Sequence, residues 1–529
     1  MKSVATKKNE KLEQIFMATT VPCPLALVKK GYLLNTKRGL AVLICLLSKD
    51  YCMKTTGYEA VLGIEVHVQL MTESKIFCAC SNEPCTTPNT NICAICAGHP
   101  GTLPVLNQKV VEAAITVALA TECTINRESE FARKHYFYPD LPKNFQITQD
   151  TKPIAENGII RIRCDDGTQK SVRVRRIHIE EDAGKSIHST DGSYSFVDLN
   201  RAGTPLLEIV SEPDLRSAAE ARAYLKALHS LVTGLGICSG NMEQGAFRAD
   251  TNVSVRPMGA TYLGTRCELK NINSFKFIGD AVIYEINRQI ELLEQGEQVI
   301  QQTRLWDTRQ RITLPMRSKE TAADYRYMPE PDLPLLRLDE QYITTIQEQL
   351  PELPEQRFIR LQKEFNLSPY EADVLLSDFA LADYYERAAK HHYSPSLINW
   401  VLRDVQAYVK EHTIDIHALL LTPERLARLV HLVELGRINA RTGQELCIEV
   451  ARTGADPDVL IETGGLTQIE SVSELETIVT QILGAYPQQV SQYRAGNTKL
   501  LGFFVGKTME HAQGKANPKV VQEVLRRLL

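Results

Sequence analysis

Leu62, Ile64, Val66, Val68 and Leu70 are each separated by one residue, and Gly63, Glu65, His67 and Gln69 fill the gaps. A period of two sends alternate side chains to opposite faces of a strand, so this stretch demands a sheet buried on one face only. Glu65 and His67 then share the other face. A carboxylate and an imidazole so placed can hold a divalent cation together. Carboxylates favour Mg²⁺, whereas imidazole is a more usual ligand of Zn²⁺ or Mn²⁺. Two ordinary polar residues on an exposed strand face fit the pattern as well, and the strand alone does not choose.

The signals around this strand are mixed. Residues 109–121 carry Val110, Ala113, Ala114, Val117 and Ala118 at helical spacing, and residues 218–233 read as an amphipathic helix. Residues 158–163 and 171–179 read as two strands of a hairpin or meander, and 252–257 as a short strand. Strands and helices in this irregular alternation predict an α+β domain with a mixed or antiparallel sheet rather than regular βαβ winding. After Pro351 the texture is helical. Ser368-Pro369, Ser394-Pro395 and Thr422-Pro423 read as helix starts with a capping hydroxyl before proline, and Glu371 completes a capping box with Ser368. Pro329, Pro331, Pro334, Pro351 and Pro354 mark the linker. The expected organisation is a basic extension over 1–52, a cradle domain over 53–350, an all-α domain over 351–464 and a small helical tail domain over 465–529.

The bulk composition limits the partners. The 529-residue chain has a net charge of −4, so any nucleic-acid surface is local. Between residues 491 and 529, seven Lys or Arg face two Glu. Arg494, Lys499, Lys507, Lys515 and Lys519 are candidate phosphate contacts there. Thirteen cysteines, irregular except in one cluster, suit a reducing compartment. The apolar run at 39–47 is too short to span a bilayer. Residues 1–52 therefore read as a disordered or non-native extension of a cytoplasmic protein, or as an organellar transit segment.

Three further groups carry chemistry. Cys78-x-Cys80, then Cys93-x-x-Cys96 after twelve residues, supply four thiolates for tetrahedral Zn²⁺, with Cys85 left over. Glu180-Glu181-Asp182 at a strand end repel one another unless cations or hydrogen bonds compensate. This suits a metal or phosphate site, or a charged turn. Residues 134–143, Lys-His-Tyr-Phe-Tyr-Pro-Asp-Leu-Pro-Lys, mix rings, cations and prolines that could grip a ligand. Gly184-Lys185-Ser186 only imitates a P-loop, because Ile179 stands where the first glycine is required.

Taken together, these segments resemble the B subunits of aspartyl/glutamyl-tRNA amidotransferases from about Tyr58 to the C-terminus. The most specific stretch is Val197-Asp198-Leu199-Asn200-Arg201-Ala202-Gly203-Thr204-Pro205-Leu206-Leu207-Glu208-Ile209, supported by 63–70, 134–143, 180–185, 264–275 and 324–332. The resemblance implies an ATP-dependent carbon–nitrogen ligase. ATP phosphorylates the side-chain carboxylate of Glu-tRNA(Gln) or Asp-tRNA(Asn), and ammonia made from glutamine by a partner then displaces phosphate. It implies a heterotrimer in which an amidase, the family's A subunit, and a small C subunit are the partners. It also implies ATP, Mg²⁺ and a structural Zn²⁺ on the four cysteines. Glu65, His67 and one or both of Glu180 and Glu181 resemble the family's cation site. Lys134 and Glu181 resemble the mouth of its ammonia channel. Tyr138, Asp140, Asn200, Arg201, Arg248, Asp250, Asn252 and Lys270 are candidate substrate or phosphate contacts. The competing expectation is a non-catalytic zinc-containing RNA-binding module.

Overall fold

The computed structural model describes residues 57–270, 272–318, 324–466, 472–512 and 516–529, so the expected extension at 1–52 and Lys515 lie outside the described residues. The strands are β1 (Tyr58–Gln69), β2 (Thr124–Ile125), β3 (Glu128–Ser129), β4 (Ala132–His135), β5 (Phe145–Thr148), β6 (Ala155–Arg163), β7 (Gln169–Glu181) and β8 (Lys185–His188). They continue with β9 (Ser195–Asp198), β10 (Pro205–Ser211), β11 (Phe247–Pro257), β12 (Cys267–Lys270), β13 (Gln302–Asp307), β14 (Ile312–Ser318), β15 (Met328–Pro329) and β16 (Leu336–Arg337).

The alternating segment is the central strand of a nine-stranded sheet ordered β14-β13-β12-β11-β1-β10-β7-β6-β2. Neighbours are antiparallel except β12 and β13, which run parallel, so the sheet is mixed. Leu62, Ile64, Val66, Val68 and Leu70 are fully buried with helices Gln108–Ala120, Ala218–Gly234 and Phe275–Glu294 in one continuous core. The opposite face is roofed by a small sheet, β15-β4-β5, whose β5 packs over β7. The site lies between sheet and roof. Helix 218–233 and the paired strands around 158–179 form as their periodicity predicts. The strand expected at 252–257 begins earlier, at Phe247. Its first half sits deep in the sheet, where Arg248 and Asp250 face polar partners and hide the alternation.

From Pro354 onward the chain is helical. Helices between Pro354 and Gly464 enclose a second core from Phe358 to Ile461, and those between Val472 and Leu528 enclose a third from Leu475 to Leu525. The chain is thus an α+β protein with an N-terminal mixed sheet and a helical C-terminal region. Ser368 caps helix Pro369–Leu376, with the Glu371 carboxylate accepting the Ser368 N–H at 2.8 Å. Thr422 caps Pro423–Glu434. The helix start expected at Ser394-Pro395 does not form there. The helix begins at Leu397, and the Ser394 hydroxyl accepts the Ser396 N–H at 3.0 Å within the preceding turn while donating to Glu434. No described helix is long and apolar enough to cross a membrane.

Candidate active site

Register builds the site. His67 on β1 lies opposite Glu208 on β10, and Glu208 lies opposite His178 on β7. Glu180 follows two residues later on the same face of β7. His67 Nε2 is 3.4 Å from Glu180 and 3.6 Å from Glu208, while His178 Nε2 is 3.0 Å from Glu208. Ligand atoms of His67, Glu180 and Glu208 all lie within 4.8 Å of one another. One imidazole and two carboxylates at that spacing fit a divalent cation. Burial opposes ionisation of both carboxylates, yet His178 and the neighbouring cations hold them below the usual carboxylate range. Burial likewise opposes charge on His178, but Glu208 and Glu180 outweigh it and lift the imidazole to about 9. Lys134, on the roof strand β4, sets its ammonium 4.9 Å from the Tyr325 ring and faces Glu180 and Glu208, which keep it charged despite burial.

Glu65 and Glu181 stand apart from this trio. Glu65 lies opposite Asp250 and accepts a hydrogen bond from Asn252 Nδ2 at 2.9 Å. Lys270 pairs with Asp250 at 2.7 Å and lies 3.6 Å from Glu268, making a second polar cluster two residues along β1. Glu181 pairs with Lys143 and accepts the Ile147 N–H at 2.9 Å. A cavity of about 50 Å³ opens beside that pair, lined also by Arg133, Glu330 and Cys96. Asp182, which the sequence marks only as the end of an acidic run, accepts from Gln69 at 2.8 Å and Arg248 at 3.0 Å, with Arg201 at 3.4 Å.

Other candidates are engaged in holding loops. The Arg201 guanidinium donates to the carbonyls of Ala183 and Gly184 at 3.1 and 2.8 Å. The Asn200 side chain accepts the N–H groups of Thr90 and Asn91 at 2.8 and 2.9 Å and donates to Thr87 O at 2.7 Å. Asp140 lends its carbonyl to the Gly184 N–H at 2.8 Å, and Tyr138 is 47% exposed at the rim. Sequence reasoning did not single out Glu208 or His178 as site residues, and took Asp182 and Lys143 only as members of the acidic run and of the 134–143 segment. Glu208, Asp182 and Lys143 sit inside the motifs that carry the resemblance, and His178 leads the acidic run, but only strand register reveals what they meet.

The four cysteines converge. Their sulfurs lie within 4.8 Å of one another, and Cys96 Sγ is 3.9 Å from both Cys80 Sγ and Cys93 Sγ. Tetrahedral zinc with bonds near 2.3 Å needs sulfurs about 3.8 Å apart, so the knuckle fits such an ion. Cys85 remains exposed outside it. In the tail Arg494, Lys499 and Lys519 are exposed, and Lys507 pairs with Glu510 at 2.7 Å.

This fold and site define a chain of the GatB/GatE family. Its GatB/GatE catalytic domain spans residues 60–344 and its GatB domain residues 383–529, and the chain belongs to that family. Similar proteins are named as the B subunit of aspartyl/glutamyl-tRNA(Asn/Gln) amidotransferase. That of Thermodesulfovibrio yellowstonii is 47% identical over 89% of this chain and 99% of its own. That of Nitratidesulfovibrio vulgaris strain DP4 is 49% identical over 89% and 98%, and that of Myxococcus xanthus 47% over 90% and 100%.

Proposed function

We propose that this chain is the transamidating subunit of a glutamine-dependent tRNA amidotransferase. The observation that carries the reading is the His67–Glu180–Glu208 trio beneath the Lys134 roof, a cation-ready acidic site in a chain of this family. The substrate is Glu-tRNA(Gln), Asp-tRNA(Asn) or both. A carboxylate is a poor electrophile. Its oxygen attacks the γ-phosphorus of ATP, ADP leaves, and ammonia then attacks the acyl carbon and expels phosphate. The charge on the transferred group needs cations nearby. His67, Glu180 and Glu208 would hold a divalent ion such as Mg²⁺, which when bound would screen phosphate charge. Lys134 adds a fixed positive charge on the roof. Gln69, Arg248 and Arg201 immobilise Asp182 at the edge of the site. Glu65, Asn252, Asp250 and Lys270 offer polar contacts further along β1.

Ammonia comes from an amidase partner, with a small third protein completing the assembly, and enters near Lys134 and Glu181. The cradle at 53–350 carries chemistry, the helical domain at 351–464 spaces it from the tail, and the tail at 465–529 grips tRNA. A non-catalytic RNA-binding module would leave the partly buried His67–Glu180–Glu208 trio without a role. The reconstituted complex is expected to hydrolyse ATP only when misacylated tRNA is present. Absence of tRNA-dependent turnover would remove the transamidase reading.

A further inference from the structure

Lys75 is buried to 1% exposure although its side chain ends in an ammonium. That ammonium reaches Cys96 Sγ at 3.7 Å and Leu199 O at 3.4 Å, and among the described residues no carboxylate pairs with it. An ammonium taken out of water without an anion is costly. A divalent ion on four thiolates leaves two negative charges, and the knuckle then supplies the missing anion. The same lysine is tied to the knuckle through its backbone, whose N–H donates to Cys80 O at 3.0 Å.

Lys75 also reaches the other way. The next N–H, on Ile76, donates to Gly203 O at 3.0 Å. Gly203 holds φ +81°, and a Cβ there would lie 3.5 Å from Cys96 Cβ and 3.6 Å from Lys75 Cδ, so loop and knuckle are in direct contact. Asn200 closes the junction from the far side through Thr87, Thr90 and Asn91. The loop then grips the acidic strand end. Gly203 N–H donates to Asp182 O at 3.0 Å, Asp182 N–H to Thr204 O at 2.8 Å, and Arg201 to the carbonyls of Ala183 and Gly184.

We propose that Lys75 is the counter-cation of a metal tetrathiolate on Cys78, Cys80, Cys93 and Cys96, and that through it the bound metal fixes the 199–204 loop against Glu180–Asp182. The inference rests on the zinc reading of the cysteines and adds a positioning residue outside the site. Outer groups that hydrogen-bond metal ligands set affinity by tenfold to a hundredfold.

The test uses the full-length chain with Co²⁺ as probe, whose thiolate charge-transfer and ligand-field bands report the tetrahedral sulfur set. Affinity is read by competition with a chromogenic chelator. Lys75→Met is expected to bind about 10- to 100-fold more weakly, with Lys75→Arg recovering most of the loss. Equal affinity in Lys75→Met would overturn the counter-cation role. A wild-type chain that shows no thiolate bands would instead remove the metal reading, and this proposal with it. A second measurement needs no variant. Stripping metal from the wild-type chain is expected to speed amide exchange at residues 199–204 and at Asp182, leaving β12 and β13 unchanged. Unchanged protection of that loop would overturn the coupling.

Discussion

Burial and the nearby Glu208 charge oppose ionisation of Glu180, and burial opposes that of Glu208, yet His178 and Lys134 help hold both below the usual carboxylate range. A cation on these two carboxylates would sit apart from Glu65, whose carboxylate accepts from Asn252. Two variants separate the possibilities. Glu208→Gln is expected to raise the Mg²⁺ concentration needed for half-maximal tRNA-dependent ATP hydrolysis and to cut its rate by about 100-fold or more. Glu65→Gln is expected to lower the rate with a much smaller change in Mg²⁺ requirement. A Mg²⁺ titration of both checks this, and the reverse order would place the ion nearer Glu65. The pairing of Glu65 with His67 on one face was legible because a strand's period is local. Their separation into two clusters was not, because it depends on which residue of β10 or β11 lies opposite. Register is set by the whole sheet, and a slip of one residue would turn Glu208 into the core.

Helix Phe275–Glu294 shows how a whole element is anchored by one buried charge. Glu285 is fully buried and bonded to Arg288, Gln289 and Thr313, with Arg304 at 3.3 Å, so it links the helix to β13 and β14. Burial opposes its ionisation, but Arg288 and the other donors outweigh burial and hold the carboxyl below its usual range. Because the folded value is depressed, the stabilisation is complete above pH 4.5 and is lost as pH falls through the folded value. Glu285→Gln is expected to destabilise the fold at pH 7 by about 3 kcal/mol, leaving two guanidinium groups short of their anion. The deficit shrinks as pH falls below 4.5, and denaturant melts at pH 7 and in acid check it. The capping box is a milder case, where Ser368→Ala is expected to cost about 1 kcal/mol in the same assay. Boxes and proline starts were legible because their hydrogen bonds close within four residues. Ser394-Pro395 carried the same local signal, yet its helix starts at Leu397, with the Ser394 hydroxyl accepting the Ser396 N–H within a turn and donating to Glu434, forty residues away in sequence. The buried Glu285 network was illegible because its members come from a helix and two strands.

Among the described residues there are three separate cores, and the third, from Leu475 to Leu525, includes no residue of the acidic site. Its helices display cations against solvent, with Arg494, Lys499 and Lys519 exposed. The stretch 491–529 carries seven Lys or Arg against two Glu in a chain that is acidic overall, so the long-range field there is opposite in sign to the rest. Phosphate contacts made by such a surface release counterions, and each lost contact lowers the salt dependence of binding by about one unit of slope. Removing residues 465–529 is therefore expected to weaken tRNA binding most at low ionic strength and to flatten the plot of log affinity against log salt. Because the second core closes by Ile461, the truncated chain retains the burial that folds its cradle and helical region. Glutamine hydrolysis by the amidase partner is expected to persist in the truncated complex, which separates lost grip from lost assembly. Filter binding at several salt concentrations, beside a glutaminase assay, makes the comparison. An unchanged slope would mean that the cradle and helical region hold the tRNA by themselves, and that the tail's charge faces only water.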